Sequence, residues 1–318
     1  MSNKTIAKIL GLVILVVGWC AVVSSCSNAP SAGGYEVNAS ELSPDFEKPV
    51  IVGRIESPDV TESSGIAASL CQPKVFWTHN DSGDDAFIFA MGENGKNLGT
   101  YRVTGARNSD WEDIASYKSP DGTCYLYIGD IGNNKLERPE LRIYRVKEPT
   151  VSDAGASSNR KTPLLTEPAD ATVFKYQDTP HNAETLMVQP QTGDVYVLTK
   201  RLEGPSLVFK FTPQFGSYQP VIAEKVGEVS VPSVPNGLLT SGAISPDAKR
   251  VIMCDYSAGY ELNLRGGGSF DEIWKTKPLR VDLGDRKHGE AVTFSADGKS
   301  IVGTNEGKKA EIFEAKIK

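Results

Sequence analysis

Short apolar runs, each opened by a polar residue, recur five times along the chain. They are T-E-S-S-G-I-A-A-S at Thr61, D-W-E-D-I-A-S at Asp110, N-A-E-T-L-M-V at Asn182, L-T-S-G-A-I-S at Leu239 and H-G-E-A-V-T-F at His288. Most are followed by a turn such as S-P-D-G and then by a second run rich in β-branched and aromatic residues. A unit that returns at long intervals indicates a repeat architecture.

The polar residues that open these runs are Ser64, Glu112, Glu184, Ser241 and Glu290, and their successive separations are 48, 72, 57 and 49 residues. A propeller blade of four strands needs about 40–45 residues. Each step therefore accommodates one blade and a loop insertion.

The fifth repeat is one strand short, whereas the strand V-I-V-G-R-I at Val50 precedes the first repeat and has no partner there. Pairing that strand with the fifth repeat would close a ring, which leaves only short strand edges. We therefore predict an all-β, five-bladed β-propeller over residues 50–318, closed by its N-terminal strand. The alternative is a six-bladed propeller in which residues 151–176 form a degenerate blade.

The N-terminal segment predicts export. Lys4 and Lys8 precede an apolar stretch over residues 9–23, and V-S-S-C then resembles the lipobox of bacterial lipoproteins. We predict a lipoprotein signal peptide over residues 1–25, lipidation of Cys26 and a flexible tether over residues 26–49. A plain secretory signal or an uncleaved anchor is the alternative.

Export sets the expected compartment and partners. The chain is expected in the bacterial cell envelope, extracytoplasmic and bound to the membrane through its lipid, as a monomer. The net charge is −6 and no Lys/Arg-rich cluster is present, which argues against a nucleic-acid partner. Disulfides can form outside the cytoplasm. Cys71 and Cys124 occupy similar places in adjacent repeats, so they either form a disulfide or remain separate thiols. Cys254 lies in the apolar run V-I-M-C, which predicts a small buried apolar residue.

The polar residues that open the five runs should meet at one end of a central channel. Three of the five are glutamates, whose charges repel unless a cation or protons compensate them. Carboxylate and hydroxyl oxygens suit calcium, so we predict a calcium ion held by Ser64, Glu112, Glu184, Ser241 and Glu290. The alternative is that these residues hydrogen-bond neighbouring blades or pair with Arg107 or Lys200.

The second strands end at the same channel mouth, because they run antiparallel to the first. Their ends are polar and differ from repeat to repeat, which indicates one asymmetric ligand-binding pocket. In it Lys200 and Arg201 can hold an anionic group, and Asp81 or His79 can act as a general base. The predicted ligand-binding residues are His79, Asn80, Asp81, Asp130, Asn134, Lys200, Arg201, Asp255, Tyr256, Asn305 and Glu306.

The order Ser, Glu, Glu, Ser, Glu on five inner strands resembles the central calcium ring of the five-bladed calcium-activated nucleotidase (apyrase) family. H-N-D-S-G at His79 and Y-I-G-D-I-G at Tyr127 stand where that family has comparable loops. The resemblance is one of layout over residues 50–318, with few identical residues, and it implies a calcium-centred propeller. The repeats are also similar to a group of exported bacterial propeller proteins of unknown activity.

Two functions follow from these features. The first is a calcium-dependent hydrolase of a small anionic substrate, a phosphoanhydride or an ester, although no catalytic residue is assigned. The second is a non-catalytic propeller that binds a small anionic ligand or a surface protein. Propellers serve both classes of function, so the fold does not decide between them.

Overall fold

The computed structural model describes residues 42–264, 266–286 and 288–318. The predicted signal peptide, the lipidation site Cys26 and the first part of the predicted tether lie outside these residues. Within them the secondary structure is 21 strands and two short 3₁₀ helices, Asp153–Ser157 and Phe270–Lys275. The predicted all-β class is confirmed.

The strands form five repeats that follow the sequence pattern. Repeat 1 contains β2 (Ser63–Ala68), β3 (Val75–Asn80), β4 (Phe87–Gly92) and β5 (Asn97–Arg102). Repeat 2 contains β6 (Trp111–Lys118), β7 (Cys124–Asp130), β8 (Leu141–Lys147) and β10 (Asp170–Tyr176). Repeat 3 contains β11 (Ala183–Val188), β12 (Val195–Thr199), β13 (Ser206–Phe211) and β14 (Val221–Val229). Repeat 4 contains β15 (Ser241–Ile244), β16 (Arg250–Cys254), β17 (Gly259–Asn263) and β18 (Leu279–Val281). Repeat 5 contains β19 (Gly289–Phe294), β20 (Ser300–Asn305) and β21 (Glu311–Lys316).

The N-terminal strand β1 (Val50–Arg54) pairs antiparallel with β21 and gives repeat 5 its fourth strand. Strands within each repeat are antiparallel neighbours in chain order. Repeats 2 and 3 also join through parallel pairing of β10 with β14, so the sheet layout is two four-stranded sheets, one five-stranded sheet and one eight-stranded sheet.

The insertion over residues 151–176 is divided between two repeats. Its strand β9 (Leu164–Leu165) pairs parallel with β5 of repeat 1, and its strand β10 pairs antiparallel with β8 of repeat 2. The insertion therefore extends the sheets of repeats 1 and 2. The six-bladed alternative required it to form a separate sheet, which it does not.

Five apolar clusters lie between successive repeats. Trp77 and Trp111 are fully buried in the cluster between repeats 1 and 2. Equivalent clusters join repeats 2 and 3, repeats 3 and 4, and repeats 4 and 5, and a fifth joins repeat 5 to repeat 1 through Phe89 and Ile312. The first strands of the repeats, β2, β6, β11, β15 and β19, contact one another in the same cyclic order. We call them the inner strands.

The folded part begins earlier than Val50. Phe46 is buried against repeats 4 and 5, and Ser43 donates a 2.8 Å hydrogen bond to Glu261 Oε2. The predicted tether is therefore too long at its C-terminal end. The physical reason is that Phe46 is apolar, so burying its side chain stabilises the folded state.

A disulfide joins Cys71 to Cys124 and so connects repeats 1 and 2, with a Cα–Cα distance of 6.1 Å. Cys254 is a fully buried free thiol. Over the described ranges, no helix has the length and apolar character needed to span a membrane.

Candidate functional site

Four of the five predicted calcium ligands are the extra residue of a β-bulge. The pairing register of the inner strands shifts between Ser63 and Gly65, Trp111 and Asp113, Ala183 and Thr185, and Gly289 and Ala291. Ser64, Glu112, Glu184 and Glu290 are the residues left without a strand partner. Bulges re-aim side chains and are common beside functional sites.

These bulges surround one acidic site at the N-terminal ends of the inner strands. Carboxylate oxygens of Asp81, Asp110 and Glu112 lie within 4.8 Å of one another, and Lys200 Nζ lies 2.6 Å from Glu184 Oε1. Besides burial, the charges of Glu184 and Glu306 raise the pKa of Glu290. We call this site the acidic mouth, and its residues are Asp81, Asp110, Glu112, Glu184, Lys200, Glu290 and Glu306. It therefore contains six carboxyl groups and one ammonium group.

Burial shapes the protonation of the acidic mouth. Glu112, Glu184 and Glu290 are only 4%, 5% and 6% exposed. Burial and the charge of Glu184 raise the pKa of Glu290 to about 9. Burial also raises the pKa of Glu184 to about 7, against the opposing effect of Lys200, and burial with neighbouring carboxylates raises that of Glu112. Without a cation, part of this site holds protons at neutral pH.

Lys200 is the basic group inside the acidic mouth. Its Nζ lies 2.6 Å from Glu184 Oε1 and 2.5 Å from Tyr256 Oη. Burial alone lowers the pKa of Lys200, but Glu184 and Tyr256 raise it above its ordinary value. Lys200 therefore stays charged. The sequence analysis gave pairing with Lys200 as the alternative to calcium binding. In the structure Glu184 makes this ion pair.

The two predicted serine ligands are used within the fold. Ser64 Oγ donates a 2.9 Å hydrogen bond to the carbonyl of Glu112, and Ser241 Oγ donates a 3.2 Å hydrogen bond to Asp113 Oδ1. Both bonds join different inner strands. These hydroxyls therefore brace the inner strands, as the hydrogen-bonding alternative expected.

Asp113 is an important residue that the sequence reasoning missed. It is fully buried on β6, and its carboxylate accepts hydrogen bonds from groups on β6, β11 and β15. The available signal was D-W-E-D, a run with three carboxylates where the corresponding runs of the other repeats have at most one. Asp110 in the same run was also missed.

Several predicted ligand-binding residues serve as internal connections. His79 is fully buried with its ring against Trp111, and burial lowers its pKa. Asn80 accepts from the backbone N–H groups of Thr61 and Glu62. A general base must reach its substrate, so the burial of His79 removes the geometric support for that role.

The remaining predicted residues divide by position. Asp255 caps its own loop by accepting from Ala258 N and Tyr260 Oη, Asp130 pairs with Arg138 at 2.7 Å, and Arg201 donates to Pro205 O. Asn134 accepts from Asn182, and Asn305 has a buried side-chain oxygen without a partner in the described chain. Asp81, Lys200, Tyr256 and Glu306 belong to the acidic mouth or contact it.

The opposite ends of the inner strands surround a cavity of about 300 Å³. Its lining is mostly small or apolar and includes Ala68, Ile114, Met187, Ala243 and Phe294. Lys118 is the one titratable side chain among its lining residues. Of the two ends of the inner strands, the acidic mouth is therefore the one that carries carboxyl groups able to bind a cation or to move protons.

Comparison with known proteins identifies no family. No family model matches the chain, and no curated protein matches its sequence. Among solved structures, a chain of Kuenenia stuttgartiensis hydrazine synthase is similar with a TM-score of 0.42 and 12% identity, over 79% of this chain and 94% of that chain. At that level of similarity the match supports no statement about function.

Proposed function

We propose that this protein is a calcium-binding, five-bladed β-propeller of the bacterial cell envelope, anchored through lipidated Cys26. The five repeats, the cyclic contacts of the inner strands and the pairing of β1 with β21 support the five-bladed assignment. The resemblance of the inner-strand order to the calcium-activated nucleotidase family supports the cation.

The observation that carries the proposal is the charge of the acidic mouth. Glu112, Glu184 and Glu290 are buried at bulges of three different inner strands, and Lys200 is the basic group placed among them. Buried carboxylates at short range are stable only with a cation or with bound protons. Calcium suits such a site because it takes six to eight oxygen ligands in flexible geometry.

Hydrolysis of a small anionic substrate is the activity we propose for this site. A bound cation would polarise a phosphoryl or carbonyl oxygen of the substrate. The Lys200 ammonium group has three N–H donors, and two of them bond Glu184 and Tyr256. The third can donate a hydrogen bond to an anionic group of the substrate.

A specific observation favours the second candidate function, binding of a surface protein. Leu202 and Val234 are 75% and 73% exposed, and their loops are joined by a 2.8 Å hydrogen bond from Arg201 N to Gly237 O. Leu136 is 51% exposed on the neighbouring loop that connects β7 to β8. Contiguous exposed apolar patches mark protein interaction sites, and these three side chains are the candidates for such a patch.

The deciding experiment measures melting temperature and turnover on the demetallated full chain. Calcium at about 100 times its dissociation constant should stabilise the fold by about 2.7 kcal/mol, which corresponds to a rise of roughly 5–10 °C. Calcium-dependent turnover of a panel of phosphoanhydrides and esters would support the hydrolase, and calcium binding without turnover would support the binding function. An unchanged melting temperature in calcium and in chelator would contradict the cation assignment.

A further inference from the structure

We propose that the cation is held away from the channel axis, between repeats 1 and 2, by Asp81, Asp110 and Glu112. This inference rests on the proposed function and names the ligands that the acidic mouth uses. It differs from the predicted ring, because it adds Asp81 and Asp110 and leaves out Glu184 and Glu290.

The first observation is that three carboxylate groups converge on one point. One carboxylate oxygen from each of Asp81, Asp110 and Glu112 lies within 4.8 Å of the other two. The three residues come from the loop after β3, the residue before β6 and the bulge of β6. Two oxygens bound to one calcium ion at 2.3–2.6 Å can lie no more than about 5 Å apart, and this group meets that limit.

The second observation is that Glu112 has no partner of its own. Glu112 is only 4% exposed, and within residues 42–264, 266–286 and 288–318 no hydrogen bond reaches its carboxylate. A buried carboxylate without donors is costly, because it has lost water and gained nothing in return. A bound cation would stabilise this carboxylate, and no hydrogen-bond donor in the described residues does so.

Gly132 marks the point on which two of these carboxylates converge. A Cβ atom at this position would lie 2.1 Å from Glu112 Oε1 and 2.4 Å from Asp110 Oδ2. Gly132 N also donates to the carbonyl of Asp110 at 3.1 Å. Only glycine leaves room for both carboxylates here, since any other side chain would displace them.

Neighbouring groups hold the loops that carry the ligands. Asp110 N donates to Asp130 Oδ1 at 3.0 Å, and Arg138 fixes the same oxygen of Asp130 at 2.7 Å. Asn108 Nδ2 donates to the carbonyl of Asp81 at 3.1 Å. Groups that orient the ligands in this way are typical of metal sites.

One carboxylate oxygen of Glu184, Oε1, is already paired elsewhere, and its Oε2 is buried without a partner in the described residues. The Lys200 ammonium lies 2.6 Å from its Oε1 and supplies the positive charge on that side of the acidic mouth. A divalent cation on the axis would be repelled by Lys200 at short range. The corner formed by Asp81, Asp110 and Glu112 carries three carboxylates. The charge of Arg138 acts on Asp110 and that of Lys200 acts on Glu112, but these two basic groups are paired with Asp130 and Glu184. A cation is therefore favoured at this corner.

The test is calcium titration by calorimetry on the demetallated full chain. Asp110→Asn should lower calcium affinity at least tenfold. Gly132→Ala leaves every charge unchanged and should lower affinity by a similar factor, because the new methyl group displaces Glu112 Oε1. Glu290→Gln and the matched control Glu306→Gln each replace one carboxyl group of the same mouth outside the proposed ligand set, and should change affinity less than threefold.

Each result has a defined meaning. A large loss with Glu290→Gln and little change with Asp110→Asn would place the ion on the axis, which overturns this inference and keeps the proposed function. Equal losses in the three carboxyl variants, with no loss in Gly132→Ala, would show only a general effect of the carboxyl groups and would also overturn it. If wild type binds no calcium, both fail. If Asp110→Asn does not fold in the calcium-free state, Asp81→Asn replaces it with the same expected loss.

Discussion

Ser241 Oγ donates a 3.2 Å hydrogen bond to Asp113 Oδ1 across 128 residues of sequence. The same oxygen accepts from Ile114 N at 2.9 Å, and Oδ2 accepts from Leu186 N at 3.0 Å and Gly242 N at 3.4 Å. One fully buried carboxylate thus joins three inner strands. Burial raises the pKa of Asp113, and these four donors oppose that effect.

Asp113→Asn should destabilise the fold by about 3 kcal/mol. The amide keeps one acceptor oxygen but turns an NH₂ group toward two donors, so buried N–H groups lose their partners. Urea denaturation measures the loss. Glu224→Gln, on the exposed side of β14, is the control and should change stability by less than about 0.5 kcal/mol. A loss below 1 kcal/mol for Asp113→Asn would mean that the carboxylate does not hold the inner strands together.

Without a cation, stability should fall as the pH rises from 5 to 9. The pKa values of Glu184 and Glu290 are raised to about 7 and about 9 from an ordinary value of 4.5. The folded chain therefore binds more protons than the unfolded chain over this interval, and that contribution to stability is lost as the protons leave. Melting temperature against pH in chelator is the measurement.

Glu290→Gln should flatten the pH dependence above pH 7, and the control Glu224→Gln should follow wild type. A melting temperature that rises with pH in chelator would contradict the raised pKa values.

Lys200→Met should destabilise the calcium-free protein by about 3 kcal/mol, because it leaves Glu184 buried without its ammonium partner. Adding Glu184→Gln should recover part of the loss, since the unpaired charge is then gone. A double-mutant cycle on denaturation free energies measures this coupling. Lys200→Met should also strengthen calcium binding several-fold by removing a nearby positive charge. Additive effects of the two substitutions would show that the pair is not coupled.

Removing the disulfide should cost about 4 kcal/mol or less. Cys71 and Cys124 are 53 residues apart, and closing a loop of that length in the unfolded chain accounts for roughly this value. The double variant Cys71→Ser/Cys124→Ser is compared with wild type by urea denaturation. Reductant should destabilise wild type and leave the double variant unchanged. Equal labelling of unfolded wild type by an alkylating agent with and without reductant would show that no bridge forms.

Cys26→Ser should release the protein from the membrane fraction. V-S-S-C predicts lipid attachment at Cys26, and two lipid signals are needed for stable anchoring. Cell fractionation and intact mass of the N-terminal peptide check this. Cys20→Ser is the matched control and should stay with the membrane. An unmodified N-terminus at another position would contradict the lipoprotein assignment.

Local patterns in the sequence were sufficient to predict the all-β class and most strands. Alternating apolar runs and S-P-D-G-type turns act over a few residues, so their meaning depends little on distant parts of the chain. The same patterns identified Glu112, Glu184 and Glu290, because one polar residue at the start of each buried strand stands out.

Tertiary structure alone decided which neighbouring side chains meet in the acidic mouth. A bulge adds one residue to a strand and so reverses the face on which the following side chains lie. The alternation of apolar and polar residues therefore could not predict whether Glu112 or Asp113 points into the acidic mouth. The donors to Asp113 Oδ2 lie 73 and 129 residues away, and Lys200 meets Tyr256 across 56 residues. Such contacts depend on how the repeats pack around the inner strands, and short-range sequence patterns carry no information about that packing.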